Sequence, residues 1–132
     1  MDEAMQKSNG VLAVAIVEDD PRIQQLLLAE IQDEGHNGVI FNSAEEFLEN
    51  SSAQSFDLVL LDLMLPGIDG LACLTRIQDK AVYASPPRVV IMTALNDATK
   101  KQEALMNGAE DYVLKPDLFE RLPELLHPAQ RG

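Results

Sequence analysis

The sequence of 132 residues has one cysteine, no tryptophan and few basic residues. A single cysteine cannot form an internal disulfide, and Cys73 falls within an apolar helical pattern, so we expect a buried or half-buried thiol in a reducing compartment. No stretch reaches the roughly 18 apolar residues of a membrane span, and the polar, acidic start lacks the pattern of a signal peptide. These absences predict a cytoplasmic protein without membrane contact.

Basic residues are scarce: 10 lysines and arginines stand against 22 acidic residues, for a formal charge of −12. Binding to a phosphate backbone is driven by lysine and arginine, so we expect no direct nucleic acid contact by this domain. The acidic surplus suits a site that concentrates divalent cations, although a solvated acidic surface accounts for most of these residues.

Short apolar runs alternate with amphipathic segments along the whole chain. The runs that predict strands are residues 11–17, 39–41, 58–61, 89–92 and 111–114. Helices are predicted between and after them by Asp20-Pro21, by the capping-box sequence from Ser43, by the turn residues before Leu71, by Asn96 or Asp97, and over 118–126. Strict alternation predicts one domain with a mostly parallel sheet between layers of helices.

In such sheets the functional site lies beyond the carboxyl ends of the strands. The residues at these ends are Glu18, Asp19 and Asp20 after the first strand, Asp62 after the third, Thr93 after the fourth and Lys115 after the fifth. Asp20 is explained as a helix cap. The other carboxylates would repel one another without a cation between them, and Mg²⁺ prefers such oxygen ligands.

These side chains also meet the needs of phosphoryl transfer, which requires an in-line nucleophile and positive charge near the phosphoryl oxygens. Asp62 suits the nucleophile, Mg²⁺ and Lys115 the neutralising charges, and the Thr93 hydroxyl a hydrogen-bond donor. Each residue taken alone has an ordinary explanation as a turn, strand-end or solvated residue. Their joint placement at the strand ends favours the functional interpretation.

Four motifs in order resemble the receiver domains of bacterial response regulators, over residues 11–126. The motifs are Val17-Glu18-Asp19-Asp20-Pro21, the segment from Leu60 to Gly70 around Asp62, Met92-Thr93-Ala94, and Tyr112-Val113-Leu114-Lys115-Pro116. The resemblance implies a flavodoxin-like fold with strand order 2-1-3-4-5. It also implies a receiver domain at 11–127, with a flexible N-terminal tail at 1–10 and a C-terminal tail at 128–132.

By the same resemblance, Asp62 accepts phosphate from a phosphohistidine of a sensor histidine kinase or a histidine phosphotransfer protein. Asp19 and Asp62 would coordinate Mg²⁺ directly, Glu18 through water, and the backbone carbonyl of Met64 would complete the protein ligands. The resemblance further implies a cis peptide bond between Lys115 and Pro116.

In this family, phosphorylation is coupled through Thr93 to an aromatic residue of the fifth strand, here Tyr112. The face made by the fourth helix, fifth strand and fifth helix would then bind an output domain or a second copy. The resemblance implies no enzymatic activity beyond self-catalysed phosphoryl transfer and autodephosphorylation. Because Met64 and Leu95 are apolar, we expect slow hydrolysis of the phosphorylated aspartate.

Other functions fit the sequence less well. A phosphatase of the haloacid-dehalogenase type needs a second aspartate two residues after Asp62, where this chain has Met64. A dinucleotide-binding module needs a glycine-rich loop after the first strand, where this chain has acidic residues. A receiver that binds partners without accepting phosphate is a further alternative. The last predicted helix is short and contains Pro123, unlike the longer basic helix of receivers that dimerise to bind DNA.

Overall fold

The computed structural model describes residues 10–50, 55–79, 81–83 and 85–127. Five strands lie within these residues: β1 (Ala13–Val17), β2 (Asn37–Phe41), β3 (Leu58–Asp62), β4 (Arg88–Thr93) and β5 (Asp111–Leu114). Residues 1–9 and 128–132, which make up nearly all of the two expected tails, lie outside the described part of the chain. The division into a domain and two tails therefore stays a prediction.

Each strand is followed by a helix: α1 (Pro21–Asp33), α2 (Ala44–Glu49), α3 (Gly70–Ile77), α4 (Ala98–Met106) and α5 (Lys115–Leu126). Side-chain caps begin four of them, provided by Asp20, Ser43, Asp69 and Asp97. Each cap oxygen accepts a backbone N–H that has no partner within the helix. No helix in the described residues has both the length and the apolar content needed to cross a bilayer.

All strand pairs are parallel, and the strands lie in the order β2-β1-β3-β4-β5. This confirms the predicted parallel sheet and its strand order. The direction in which the chain adds strands reverses between β1 and β3, which pair directly from Val14 with Leu58 to Val17 with Leu61. A crevice therefore opens beyond the carboxyl ends of these two strands.

The strands β1, β3 and β4 are buried on both faces because they are almost continuously apolar, whereas the edge strand β2 is partly exposed. On one face, Val14 and Ile16 pack with Leu27 and Ile31 of α1 and with the leucines of α5. On the other face, the remaining helices cover a core that includes Phe41, Phe47 and Phe56. Phe41 meets the other two rings edge to face, with centroids 5.2 and 5.8 Å apart. The two cores hold the strand ends in fixed positions.

The last helix differs from the sequence prediction. It begins at Lys115 instead of Leu118, and Pro123 lies inside it. Pro116 occupies the first turn, where its missing N–H costs nothing. Leu118, Leu122, Leu125 and Leu126 are buried along one side, and this apolar stripe stabilises the helix despite the interior proline.

The implied cis peptide between Lys115 and Pro116 is wrong, since the described chain has no cis peptide bond. The start of α5 explains the difference. Lys115 and Pro116 form the first residues of the helix directly after β5. A trans peptide continues the chain from strand to helix, and no tight turn is needed at this point.

Candidate functional site

The strand ends bring together the side chains that the sequence singled out. Glu18 and Asp19 directly follow β1, Asp62 ends β3, Thr93 ends β4, and Lys115 follows β5 as the first residue of α5. The side chains of Glu18, Asp62 and Thr93 are buried, whereas Asp19 is exposed. The crevice therefore has buried acidic walls and one carboxylate at its mouth.

Glu18, Asp19 and Asp62 form the acidic cluster of the site. Each can offer a carboxylate oxygen such that the three oxygens lie within 4.8 Å of one another. Three like charges this close repel one another strongly unless a cation reduces the repulsion. The donor set fits Mg²⁺, a hard ion that binds carboxylate oxygens and retains several waters.

Lys115 supplies the positive charge that the structure places at this cluster. Its Nζ atom lies 2.9 Å from Glu18 Oε1 and 3.0 Å from Asp62 Oδ2. Burial alone would lower the pKa of Lys115, but its hydrogen bonds and charge interactions with Glu18 and Asp62 outweigh burial and raise it. Lys115 therefore stays protonated, and it joins the ends of three strands electrostatically.

Burial raises the pKa of Glu18, since removal from water disfavours its charged form. The hydrogen bonds to Lys115 and to the backbone N–H of Asp20, 2.9 Å from Glu18 Oε2, lower it, while the charge of Asp62 raises it further. Asp20 itself caps α1 through the N–H of Arg22. This contact confirms the predicted role of Asp20 as the cap of the helix.

The Asp62 carboxylate is held at both oxygens. Oδ1 accepts the backbone N–H of Met64 at 3.0 Å, and Oδ2 accepts a hydrogen bond from Lys115. The Met64 side chain is 59% exposed, so it lies at the mouth of the crevice. These contacts at both oxygens fix the orientation of the carboxylate.

Thr93 and Tyr112 meet at a single residue of the β4–α4 loop. The Thr93 hydroxyl accepts the N–H of Leu95 at 3.0 Å, and the Tyr112 hydroxyl donates to the carbonyl of Leu95 at 2.7 Å. Tyr112 is 7% exposed, and burial raises its pKa, with a further contribution from the charge of Asp97. The loop that follows β4 is therefore bonded to both residues.

The predictions from the sequence did not include two residues that lie at the site. Gln24 of α1 is buried beside the acidic turn, and Glu45 of α2 accepts the N–H of Ile68 in the loop after Asp62. Gln24 carried a usable signal, because it lies three residues before the buried Leu27 and seven before the buried Ile31. A polar residue on the buried side of a helix needs a partner. Glu45 had no such signal, because acidic residues are common in the first turn of a helix.

Comparison with known proteins agrees with this site. The model of the response regulator receiver domain matches residues 14–127. The transcriptional activator protein PfeR of Pseudomonas aeruginosa is 39% identical over 101 residues, which are 76% of this chain and 32% of PfeR. The chain spans about a quarter to a half of the length of the curated relatives it matches.

Solved structures share the fold. The chemotaxis protein CheY4 of Vibrio cholerae superposes with a TM-score of 0.79 at 24% identity, covering 89% of this chain and 98% of CheY4. The receiver domain of the sensor histidine kinase PA1611 of Pseudomonas aeruginosa, which carries magnesium in its active-site cleft, gives a TM-score of 0.78 at 21% identity, covering 92% and 99%. From the family match, the order of the strands and the residues at their ends, we conclude that the chain belongs to the response regulator receiver domains.

Proposed function

We propose that Asp62 is the phosphoacceptor of this receiver domain and takes a phosphoryl group from a phosphohistidine of a sensor histidine kinase or a histidine phosphotransfer protein. One observation carries the proposal: the Asp62 carboxylate lies at the end of β3, beside Glu18 and Asp19 and 3.0 Å from the Lys115 ammonium. A nucleophile, a place for a divalent cation and a fixed positive charge are thus present together.

In the proposed reaction, an oxygen of Asp62 attacks the phosphorus atom. A new O–P bond forms, the P–N bond to the donor histidine breaks, and its electron pair stays on the imidazole nitrogen. The transition state is loose, so the protein contributes mainly position and charge. Met64 N–H orients one Asp62 oxygen, and the Lys115 ammonium lies where it can shift toward the incoming phosphoryl oxygens.

The proposed metal ligands are Glu18, Asp19, Asp62 and the backbone carbonyl of Met64, with Glu18 acting through a water. Bound Mg²⁺ would neutralise charge on the phosphoryl oxygens. The support from this chain is the set of three carboxylates that can bring oxygens within 4.8 Å of one another, two of them, Glu18 and Asp62, being buried. The receiver domain of PA1611 holds magnesium in its own active-site cleft.

The proposed output is a change at the face made by α4, β5 and α5. Thr93 and Tyr112 both bond to Leu95, so a Thr93 hydroxyl that turned to a phosphoryl oxygen would give up its bond to the Leu95 N–H. Charge-assisted hydrogen bonds to a new anion are strong enough to bias such a rearrangement. The partner at this face would be an output domain or a second copy of the chain.

We further propose that the domain has no enzymatic activity beyond its own phosphorylation and dephosphorylation. The haloacid-dehalogenase mechanism needs an acid two residues after Asp62, and Met64 has none. Leu95 is apolar as well. Neither position therefore offers an acid or base that would help water to hydrolyse phosphorylated Asp62. We expect the phosphorylated state to outlast seconds, which a time course of intact mass after removal of the phosphodonor measures.

The test is incubation with acetyl phosphate and Mg²⁺, followed by intact-mass spectrometry. We expect one added phosphoryl group, none on Asp62→Asn, and none when EDTA removes the metal. Asp69→Asn is the matched control: the same chemical change occurs on the same loop, and asparagine caps a helix as well as aspartate does. Equal labelling of Asp62→Asn and wild type would refute the assignment, and no labelling at all would favour a receiver that only binds partners.

A further inference from the structure

Gln24 makes two short hydrogen bonds beside the acidic cluster. Its side-chain amide nitrogen donates to the backbone carbonyl of Glu18 at 2.6 Å and to Asn42 Oδ1 at 2.7 Å. The residue is 6% exposed, on the side of α1 that packs against the sheet. Both amide hydrogens are therefore used, and both bonds are short for N–H···O hydrogen bonds, whose usual range begins at about 2.7 Å.

The first bond fixes a backbone group that the sheet does not hold. Glu18 lies one residue beyond the end of β1, and its N–H still donates to the carbonyl of Phe41 at 3.1 Å. Its carbonyl receives the Gln24 amide instead of a neighbouring strand. The peptide plane between Glu18 and Asp19 is thereby set, and with it the directions in which their two carboxylates leave the chain.

The second bond anchors Gln24 to the start of α2. The Asn42 N–H donates to Glu46 Oε1 at 2.7 Å, and the Glu46 N–H donates to Ser43 Oγ at 3.0 Å. Asn42 is therefore part of the cap that begins α2. Gln24 connects this cap to the acidic turn after β1.

A purely structural role would be served more cheaply by an apolar side chain. Gln24 shares the buried side of α1 with Leu27 and Ile31, and a buried amide costs free energy unless each polar atom is bonded. One of its two bonds goes to the turn that carries two of the three clustered carboxylates, and the other goes to the cap of α2. Their placement points to the site and not to the core.

We propose that Gln24 is a positioning residue for the metal site: it holds the Glu18 carbonyl so that Glu18 and Asp19 face Asp62. The inference rests on the proposed function, because it assumes that these carboxylates bind Mg²⁺. Groups that orient metal ligands commonly contribute a factor of about 10 to 100 to metal affinity.

The experiment measures the Mg²⁺ dissociation constant by isothermal titration calorimetry and stability by urea unfolding, in parallel for each variant. We expect Gln24→Leu to weaken Mg²⁺ binding about tenfold or more. Asn42→Ala removes only the second bond from an exposed residue, so it should fold and show a smaller loss in the same direction.

Two controls separate positioning from general destabilisation. Gln25→Leu makes the same chemical change at an exposed neighbour on α1 and should leave Mg²⁺ affinity unchanged. Ser43→Ala removes the α2 cap and lowers stability, yet it should preserve most of the affinity.

The outcomes distinguish the two proposals. If Gln24→Leu and Asn42→Ala lose stability but bind Mg²⁺ as wild type does, the positioning role is wrong and the proposed metal site stands. If Gln24→Leu does not fold, the Asn42→Ala result decides in the same way. A wild-type chain that binds no Mg²⁺ would overturn both.

Discussion

Gly70, the first residue of α3, lies against the end of the strand that carries Asp62. A Cβ atom added at this glycine would lie 2.6 Å from the backbone oxygen of Asp62 and 2.6 Å from the Cα of Leu63. Its N–H also donates to the Leu63 carbonyl at 3.0 Å. The neighbours are backbone atoms of a buried strand end, which cannot rotate away as a side chain can.

The Gly70→Ala substitution therefore has a cost that follows from the contact. Restoring ordinary contact at 3.4 Å from 2.6 Å requires the start of α3 to retreat by about 0.8 Å. Overpacking of this kind costs roughly 1–3 kcal/mol, and alanine returns up to about 1 kcal/mol through its helix propensity. We expect a net loss of about 1–2 kcal/mol, or roughly 4–7 °C in Tm for a domain of this size.

Urea unfolding followed by circular dichroism measures this loss, and acetyl phosphate labelling measures its effect on the site. Labelling should slow as well, because a shift approaching 1 Å near a reacting group can cost about a hundredfold in rate. Gly38→Ala is the matched control, since its added Cβ would lie 2.8 Å from the flexible tip of Leu28. The reasoning fails if Gly70→Ala is as stable as Gly38→Ala.

Three further predictions concern other parts of the chain. Cys73 is fully buried, and burial raises its pKa to about 12, so a thiol reagent such as DTNB should react with native protein only as fast as the protein unfolds. Asp97→Ala should cost about 1 kcal/mol in urea unfolding, because Asp97 accepts the N–H groups of Thr99 and Lys100 at the start of α4. Burial and the charge of His127 lower the pKa of His36 below its usual 6.5, so the unfolded chain binds this proton first and stability falls as pH drops below about 6.5 until the folded pKa is passed. The decrease in Tm between about pH 7.5 and about pH 5.5 should then be smaller in His36→Gln than in wild type.

Most of the strands and helices could be predicted from the sequence because the patterns that mark them are local. Most of the apolar runs are nearly continuous, which is typical of strands buried on both faces. Asp20-Pro21 and Ser43 mark helix starts without help from tertiary contacts. The start of α5 could not be predicted from such local patterns. Leu114, at its N-cap position, provides no side-chain cap, and the first turn is formed by Lys115 and Pro116, a pair that suggests a loop in isolation.

The residues of the site also fall into two groups, those that the sequence could predict and those that it could not. Asp62, Thr93 and Lys115 could be placed because parallel strands end at one edge, so their order in the chain is enough. The Gln24 bond to Glu18 depends on how α1 lies over the end of β1, and the Glu45 bond to Ile68 depends on where α2 meets the β3–α3 loop. Such contacts join elements whose relative placement is set by packing, which single-sequence periodicity does not encode.

The charge at the strand ends connects the stability of this fold to its proposed chemistry. Glu18, Asp19 and Asp62 carry three negative charges when ionised, and Lys115 offsets one, which leaves a local charge of about −2. This residual charge equals in size that of one divalent cation, so Mg²⁺ would remove the repulsion that the fold retains. A phosphoryl group on Asp62 would restore negative charge at the same place. The proposed responses to Mg²⁺ and to phosphorylation would therefore both follow from the unbalanced charge of this site.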